Sequence, residues 1–178
     1  MEDIRQLRDA IDAIDAQLLG LLNDRARIAQ EIGRVKERNG APVYAPERAE
    51  QLIRRLSEKS TGPLDEAAIR AIYIEIMSAS LALEKEMLVA CEGEPGCESH
   101  FAARQHFGSS IRYSFHSGPN EVVAAILRDE ADCGVLVEGD AGLARLLEGN
   151  TLRVLSRVLV DHADHTAFLV LGRAQNSP

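Results

Sequence analysis

Residues 3–38 read DIRQLRDAIDAIDAQLLGLLNDRARIAQEIGRVKER. Their apolar side chains recur at alternating steps of three and four residues, which places them along one seam of a helix of about nine or ten turns. The seam consists of Ile4, Leu7, Ile11, Ile14, Leu18, Leu21, Ile28, Ile32 and Val35. Because a single helix cannot bury this seam against itself, the pattern predicts a dimer in which long helices pair.

Two shorter helices are predicted after the stop signal Asn39-Gly40-Ala41-Pro42. The second helix begins at Pro46, ends near residue 61 and carries Leu52, Ile53 and Leu56 on its inner side. The third helix has Asp65 as its N-cap. Its inner stripe is Ile69, Ile72, Ile76, Leu83 and Met87. We therefore predict an all-α, three-helix domain over residues 1–88.

The pattern changes after residue 88, where short β-like runs alternate with helix-like runs. The predicted strands are 88–91, 111–115, 134–137, 152–160 and 167–171. The predicted helices are 99–107, 119–129 and 140–148. Alternation of this kind predicts a small α/β domain over residues 89–178.

The composition excludes several classes of ligand. The chain of 178 residues has a formal net charge of −8 and only 4% aromatic residues, so we expect no nucleic-acid partner. The N-terminus lacks a signal peptide and no apolar run is long enough to span a membrane, which predicts a cytoplasmic protein. Cys91, Cys97 and Cys133 form no CxxC pair, and the histidines show no metal-ligand spacing, so we expect no metal.

Two cations interrupt the apolar seam of the first helix. Arg25 occupies the seam position after Leu18 and Leu21, and Lys36 follows eleven residues later, almost three whole turns. A buried cation needs a counter-charge or a bound anion, because burying a bare charge costs several kcal/mol. Three interpretations of Arg25 remain open from the residues alone: anion binding, snorkelling to the helix edge, and an ion pair with another helix.

Other polar residues point to the same interior. Arg8 lies beside the seam but about 25 Å from Arg25 along the helix axis, so the two can share a pocket only across an antiparallel partner chain. Arg48 falls in the first turn of the second helix, and Ser80 and Glu84 lie one turn apart on the third. This set suits a ligand with two carboxylates and some ether or hydroxyl oxygens.

These residues, in this order, resemble the helical chorismate mutase family over about residues 3–88. The landmarks are 7–15 (LRDAIDAID), 21–25 (LLNDR), 33–36 (GRVK), 42–48 (PVYAPER) and 75–84 (EIMSASLALE). The resemblance implies an intertwined homodimer that rearranges chorismate to prephenate in aromatic amino-acid biosynthesis, with no cofactor.

The resemblance also implies a role for each substrate-binding residue. Arg8 of the partner chain and Arg25 match the carboxylate-binding arginines of the family. Arg48 matches an arginine of the second helix that faces the site. Ser80 matches a small or hydroxyl residue near a substrate carboxylate.

Two further residues match positions that act on the ether oxygen of the substrate. Lys36 matches the lysine that reaches this oxygen and a carboxylate, and Glu84 matches the position of a Gln or Glu hydrogen-bonded to it. With Arg25, these two residues form the predicted catalytic set. Because a carboxylate cannot donate a hydrogen bond, Glu84 has to be protonated, and activity is expected to decline as the pH rises.

Two departures from the family leave alternatives open. Ala49 stands where mutases usually carry a Glu that binds the ring hydroxyl, and Ala45 stands where some members have Asp. The run 45–49 resembles isochorismate-pyruvate lyase, a relative of the same fold. Either Glu50 or water takes over the hydroxyl contact, or the preferred substrate differs. A lyase and a non-catalytic regulatory or assembly module are therefore the alternatives to a mutase.

The second half resembles fragments of prephenate dehydratase. The landmarks are 91–99 (CEGEPGCES), 106–108 (HFG), 131–135 (ADCGV) and 165–172 (HTAFLVLG). Ala167 stands where that family has Arg, Gly139-Asp140 replaces its Asn-Ser, and roughly half of the expected domain is missing near residues 140–150. We therefore expect no dehydratase activity and a non-catalytic second domain.

Overall fold

The computed structural model describes residues 3–40, 44–139, 143, 147, 151–160 and 166–174. Three helices come first and an α/β region follows them. The elements are α1 (Ile4–Arg38), α2 (Pro46–Lys59), α3 (Glu66–Glu84), β1 (Leu88–Glu92), α4 (Glu98–Phe107), β2 (Arg112–His116), α5 (Pro119–Leu127), β3 (Cys133–Val137), β4 (Leu152–Leu159) and β5 (Ala167–Arg173). The predicted helix at 140–148 falls largely outside the described residues.

Helix α1 is a continuous helix of 35 residues, as its heptad pattern predicts. Asp3 caps it with a capping box: its carboxylate accepts from the Arg5 amide, and Gln6 reaches back to the Asp3 amide. Ala29 and Gly33 are its buried residues, at the point where α3 packs against it. The nine residues of the apolar seam are all exposed in the protomer.

Helix α3 confirms its predicted start but not its whole inner stripe. Asp65 accepts a hydrogen bond of 2.8 Å from the Ala68 amide. Ile69 is buried, whereas Ile72 and Leu83 are exposed, so that part of the prediction is wrong. Met87 is buried, but it lies beyond the end of α3 and belongs to the core of the α/β region. The three-residue connection to β1 therefore carries an anchor of the second core.

The sheet has the strand order β2-β1-β3-β5-β4. Strands β1, β2 and β3 are parallel, and β5 and β4 are added antiparallel at the β3 edge. Parallel neighbours require crossover helices, and α4 and α5 supply them. The small α/β sheet predicted from the sequence is thus confirmed.

Alternate residues of β1 face two cores, as the period of two in a strand requires. Val89 and Cys91 pack with α4 on one face, together with Phe168 and Val170 of β5. Ala90 packs on the other face with residues of α5. The α4 core also receives Leu81 of α3, so the helical region and the sheet share packed side chains.

Every helix in the described part of the chain falls short of the combination of length and hydropathy that a membrane span requires.

Candidate functional site

The predicted site centres on the crossing of α1 and α3. Arg25, half-buried near the middle of α1, donates from Nη1 to the hydroxyl oxygen of Ser80. Ser80 is 7% exposed, and its own proton goes to the carbonyl of Ile76, 2.8 Å away, one turn earlier in α3. The hydroxyl is therefore oriented by the helix backbone and presents a lone pair to the guanidinium.

Lys36 and Glu84 form the second contact across this crossing. Lys36 Nζ lies 3.2 Å from Glu84 Oε2, and the two side chains are 25% and 10% exposed. Gly33 makes this approach possible, because a Cβ there would stand 3.0 Å from the Cβ of Glu84. The small residue lets α3 sit close enough to α1 for the two side chains to meet.

The protomer brings four of the six predicted site residues together, namely Arg25, Lys36, Ser80 and Glu84. Arg8 is exposed and lies about 25 Å from Arg25 along the axis of the same helix. Arg48 is exposed in the first turn of α2. An ion pair with another helix was left open for Arg25, but Arg25 contacts the Ser80 hydroxyl, and the cation that pairs with a carboxylate of α3 is Lys36.

A groove of about 340 Å³ runs along α1 next to Lys36. Its lining is mostly apolar and comes from this helix alone: Ile28, Glu31, Ile32, Val35, Lys36 and Asn39. A groove built on one helix has no opposite wall, so within the described protomer the lysine stands at the margin of a half-open site.

Next to Ala49, the side chain of Glu50 pairs with an arginine of α3. Its carboxylate accepts two parallel hydrogen bonds from Arg70 of α3, with Nη1–Oε1 at 2.8 Å and Nη2–Oε2 at 2.9 Å. Arg70 holds the pKa of Glu50 below its usual range. Glu50 thus clamps α2 to α3, which argues against the option that it takes over the contact of the missing Glu. Sequence reasoning missed Arg70, because nothing in the spacing pairs positions twenty residues apart.

One dehydratase-like landmark, residues 91–99, falls at the carboxyl end of the parallel strand β1. Ser99 and Cys97, at the start of α4, both contact the carbonyl oxygen of Glu92, where β1 ends. Ala167 is the first residue of β5, and its carbonyl accepts from the Glu138 amide at 2.8 Å. This position carries a methyl group and a backbone contact, with no cation to offer. In the described ranges no cluster of His, Cys, Asp and Glu has the form of a metal site.

Three packed helices whose crossing brings two cations of α1 to a hydroxyl and a carboxyl group of α3 define an all-helical domain with a polar interior. Comparison with known proteins gives this class a family. Residues 7–85 match the family described as Chorismate mutase type II. This part of the chain is a chorismate mutase type II domain, as its landmarks predict.

The curated relatives are longer proteins. The bifunctional chorismate mutase/prephenate dehydratase of Aquifex aeolicus is 38% identical over 140 residues, which cover 76% of this chain and 39% of that protein. Its namesake in Stutzerimonas stutzeri is 35% identical over 140 residues, covering 76% and 38%. The chain thus spans about two fifths of the length of these relatives. Because the likeness covers 76% of the chain and only about half of the chain precedes β1, the likeness continues into the α/β region.

Comparison with solved structures gives one further likeness. It is the chorismate mutase (form II) of Thermus thermophilus, which is 40% identical, covers 47% of this chain and 94% of that chain, and has a TM-score of 0.46.

Proposed function

We propose that the chain is a chorismate mutase, which rearranges chorismate to prephenate. The observation that carries the proposal is the pair of contacts across α1 and α3, Arg25 with Ser80 and Lys36 with Glu84, inside a domain of this family. The relatives named bifunctional chorismate mutase/prephenate dehydratase support the same activity.

The reaction makes few chemical demands on the protein. One C–O bond of the ether breaks and one C–C bond forms within the same molecule, so neither a nucleophile nor a cofactor takes part. The substrate has to be folded into its reactive shape, and cations on its two carboxylates hold it there. Arg25, Arg48 and Arg8 of the partner subunit serve this purpose, and Ser80 lies beside a substrate carboxylate, where its oxygen holds the Arg25 guanidinium.

Charge that develops on the ether oxygen is the second demand. Lys36 and a protonated Glu84 donate hydrogen bonds to this oxygen, and donors fixed in advance stabilise the transition state more than the ground state. The distance of 3.2 Å between Lys36 Nζ and Glu84 Oε2 supports the convergence of both side chains on one point, which a shared acceptor requires.

The active form in this proposal is a homodimer whose α1 helices pair antiparallel and intertwine. Support comes from the apolar seam, whose nine members are 41–66% exposed in the protomer. Because each such side chain is already about half covered, burying the rest is worth about 1 kcal/mol each, which over nine residues makes an unpaired α1 unfavourable in water. The same pairing brings Arg8 of the partner subunit to the open side of the Lys36 groove.

Isochorismate-pyruvate lyase is the second candidate, and Ala49 is the observation that favours it. The half-buried methyl group of Ala49 cannot hold the ring hydroxyl of chorismate, and Glu50 is held by Arg70. A substrate whose hydroxyl lies on another ring carbon avoids this loss.

The α/β region is non-catalytic in this proposal. The Arg expected at Ala167 is absent, so we expect no conversion of prephenate to phenylpyruvate. Cys91, Cys97 and Cys133 are free thiols, which suits a reducing compartment, and we place the protein in the cytoplasm.

A product assay tests the proposal. Chorismate and isochorismate are offered separately to the purified full chain, and products are identified by chromatography. We expect prephenate from chorismate. Salicylate and pyruvate from isochorismate alone would support the lyase instead, and no product from either substrate would leave a binding or regulatory role.

A further inference from the structure

Helix α3 packs against α1 on one side and against the α/β region on another, besides its contact with α2. The face with Ser80 and Glu84 meets α1, as described above. At 100° per residue, Ser78 and Leu81 lie about 160° and 100° around the helix from Ser80. The side of α3 that carries Ser78 and Leu81 meets the α/β region. Ser78 is only 2% exposed, and its hydroxyl oxygen accepts from the Ser110 amide at 3.0 Å.

The contact behind α3 is closely packed. Gly108 follows α4 with a φ of +77°, and a Cβ there would lie 2.5 Å from the Cβ of Ser78, so no larger residue fits without movement. Glu75 accepts two hydrogen bonds from Ser109, 3.1 Å from the amide and 2.6 Å from the hydroxyl. These bonds hold the pKa of Glu75 below its usual range. The turn 108–110 is therefore fixed to one face of α3.

A second anchor ties α4 to the start of α2. The Tyr44 hydroxyl is hydrogen-bonded to His106 Nε2, and the Tyr44 ring packs on Phe107 with centroids 4.9 Å apart. Tyr44 stands four residues before Arg48, and α2 begins two residues after it. The position of this tyrosine thus sets where the first turn of α2, with Arg48, begins.

A third contact closes the connection between the two regions. Lys85, which caps α3 directly after Glu84, pairs with Asp132 at 2.5 Å. The second oxygen of Asp132 accepts from the Leu88 amide at 2.9 Å. The end of α3 and the start of β1 are thereby held by one carboxylate.

We propose that the α/β region is a positioning platform for the site, with Tyr44 and Ser78 as positioning residues that set Arg48 and Ser80 for substrate binding. The inference rests on the proposed mutase function. It gives a role to the non-catalytic half: α4 and the turn after it hold two of the three helices from outside, while the site faces inward. Neither residue touches substrate, and each acts through its neighbour.

Steady-state kinetics with chorismate on the full chain test this role. We compare Tyr44→Phe, which keeps the ring and loses the hydroxyl, and Ser78→Ala, which loses the acceptor for Ser110. Ser114→Ala is the matched control, because its hydroxyl contacts His116 on β2, away from the helices. Loss of one positioning hydrogen bond is expected to raise KM about fivefold in both variants, with kcat within about twofold of the unsubstituted chain.

The split between KM and kcat separates positioning from folding. A merely structural role reduces the amount of folded enzyme, which lowers kcat and leaves KM unchanged, and that result would overturn the inference. So would an unchanged KM in both variants, or an equal rise in Ser114→Ala. If the unsubstituted chain itself forms no prephenate, the proposed function fails first and this inference falls with it.

Discussion

In the proposed mechanism, the chemistry rests on single residues of α1 and α3. Arg25 and Lys36 break an apolar seam, and the structure places each against a polar group of α3. The sequence placed Ser80 and Glu84 at the same interior but did not pair them with Arg25 and Lys36, because spacing within α1 cannot tell which residue of another helix will face it. The Arg70 clamp on Glu50 could not be predicted, since an exposed ion pair leaves no pattern in the sequence.

At the residue scale, Glu84→Gln tests whether Glu84 works as a donor. A glutamine amide donates at every pH, so we expect the variant to keep kcat within about twofold from pH 5 to 8. The unsubstituted enzyme should lose activity as the pH rises, because a carboxylate, unlike the amide, cannot donate a hydrogen bond. Initial rates at saturating chorismate give both profiles.

The control is Glu86→Gln, which alters an exposed carboxylate two residues away, where it pairs with Arg112. This variant should keep the pH profile of the unsubstituted enzyme. A flat profile for the unsubstituted enzyme would show that Glu84 is not a proton-bearing donor.

At the scale of helices and strands, the sequence predicted the bounds of an element well where neighbouring residues determine them. The long helix, the Pro46 start, the Asp65 cap and five strands are all confirmed within a few residues. The inner stripe of α3 was wrong at Ile72 and Leu83 because the pattern counts apolar positions but does not say which neighbour covers them. The contacts of α4 with Tyr44 and of the turn 108–110 with Ser78 were missed as well. They join residues more than thirty positions apart, which a local pattern does not relate.

The α4 contact predicts an acid-sensitive interface. Burial lowers the pKa of His106 from 6.5 to about 4, against the attraction of Glu50 and with the help of Arg70. A lowered pKa in the folded state means that the unfolded chain takes up the proton first. The contribution of neutral His106 is therefore complete above pH 6.5 and is lost as the pH falls toward 4, by about 2 to 3 kcal/mol.

Denaturant unfolding of the full chain and of His106→Gln between pH 7 and pH 4 measures this effect. Glutamine does not titrate, so the stability advantage of the unsubstituted chain over the variant should shrink as the pH falls. A constant difference across this range would contradict the assignment.

At the scale of the whole molecule, one protomer carries only part of the proposed site. The protomer holds Arg25, Lys36, Ser80 and Glu84 at one crossing, but leaves Arg8 far along α1 and the seam uncovered. The sequence predicted that Arg8 lies apart from Arg25 within one protomer, because the distance between the two follows from helix geometry alone. The central claim is therefore a mutase site assembled from the α1 helices of two copies.

Complementation between two inactive variants measures that claim directly. Arg8→Ala and Arg25→Ala should each lose about a hundredfold in activity, because each removes one carboxylate-binding cation. After the two are unfolded together and refolded, half of the dimers are mixed, and each mixed dimer has one intact site of two.

We expect recovery to about a quarter of the unsubstituted activity, because half of the dimers each carry one intact site of two. A mixture of Arg25→Ala with Lys36→Ala is the control and should recover nothing, because both residues belong to the same protomer's half of the site. No recovery in the Arg8 and Arg25 mixture, with mixed dimers shown to be present, would contradict a site shared between two copies.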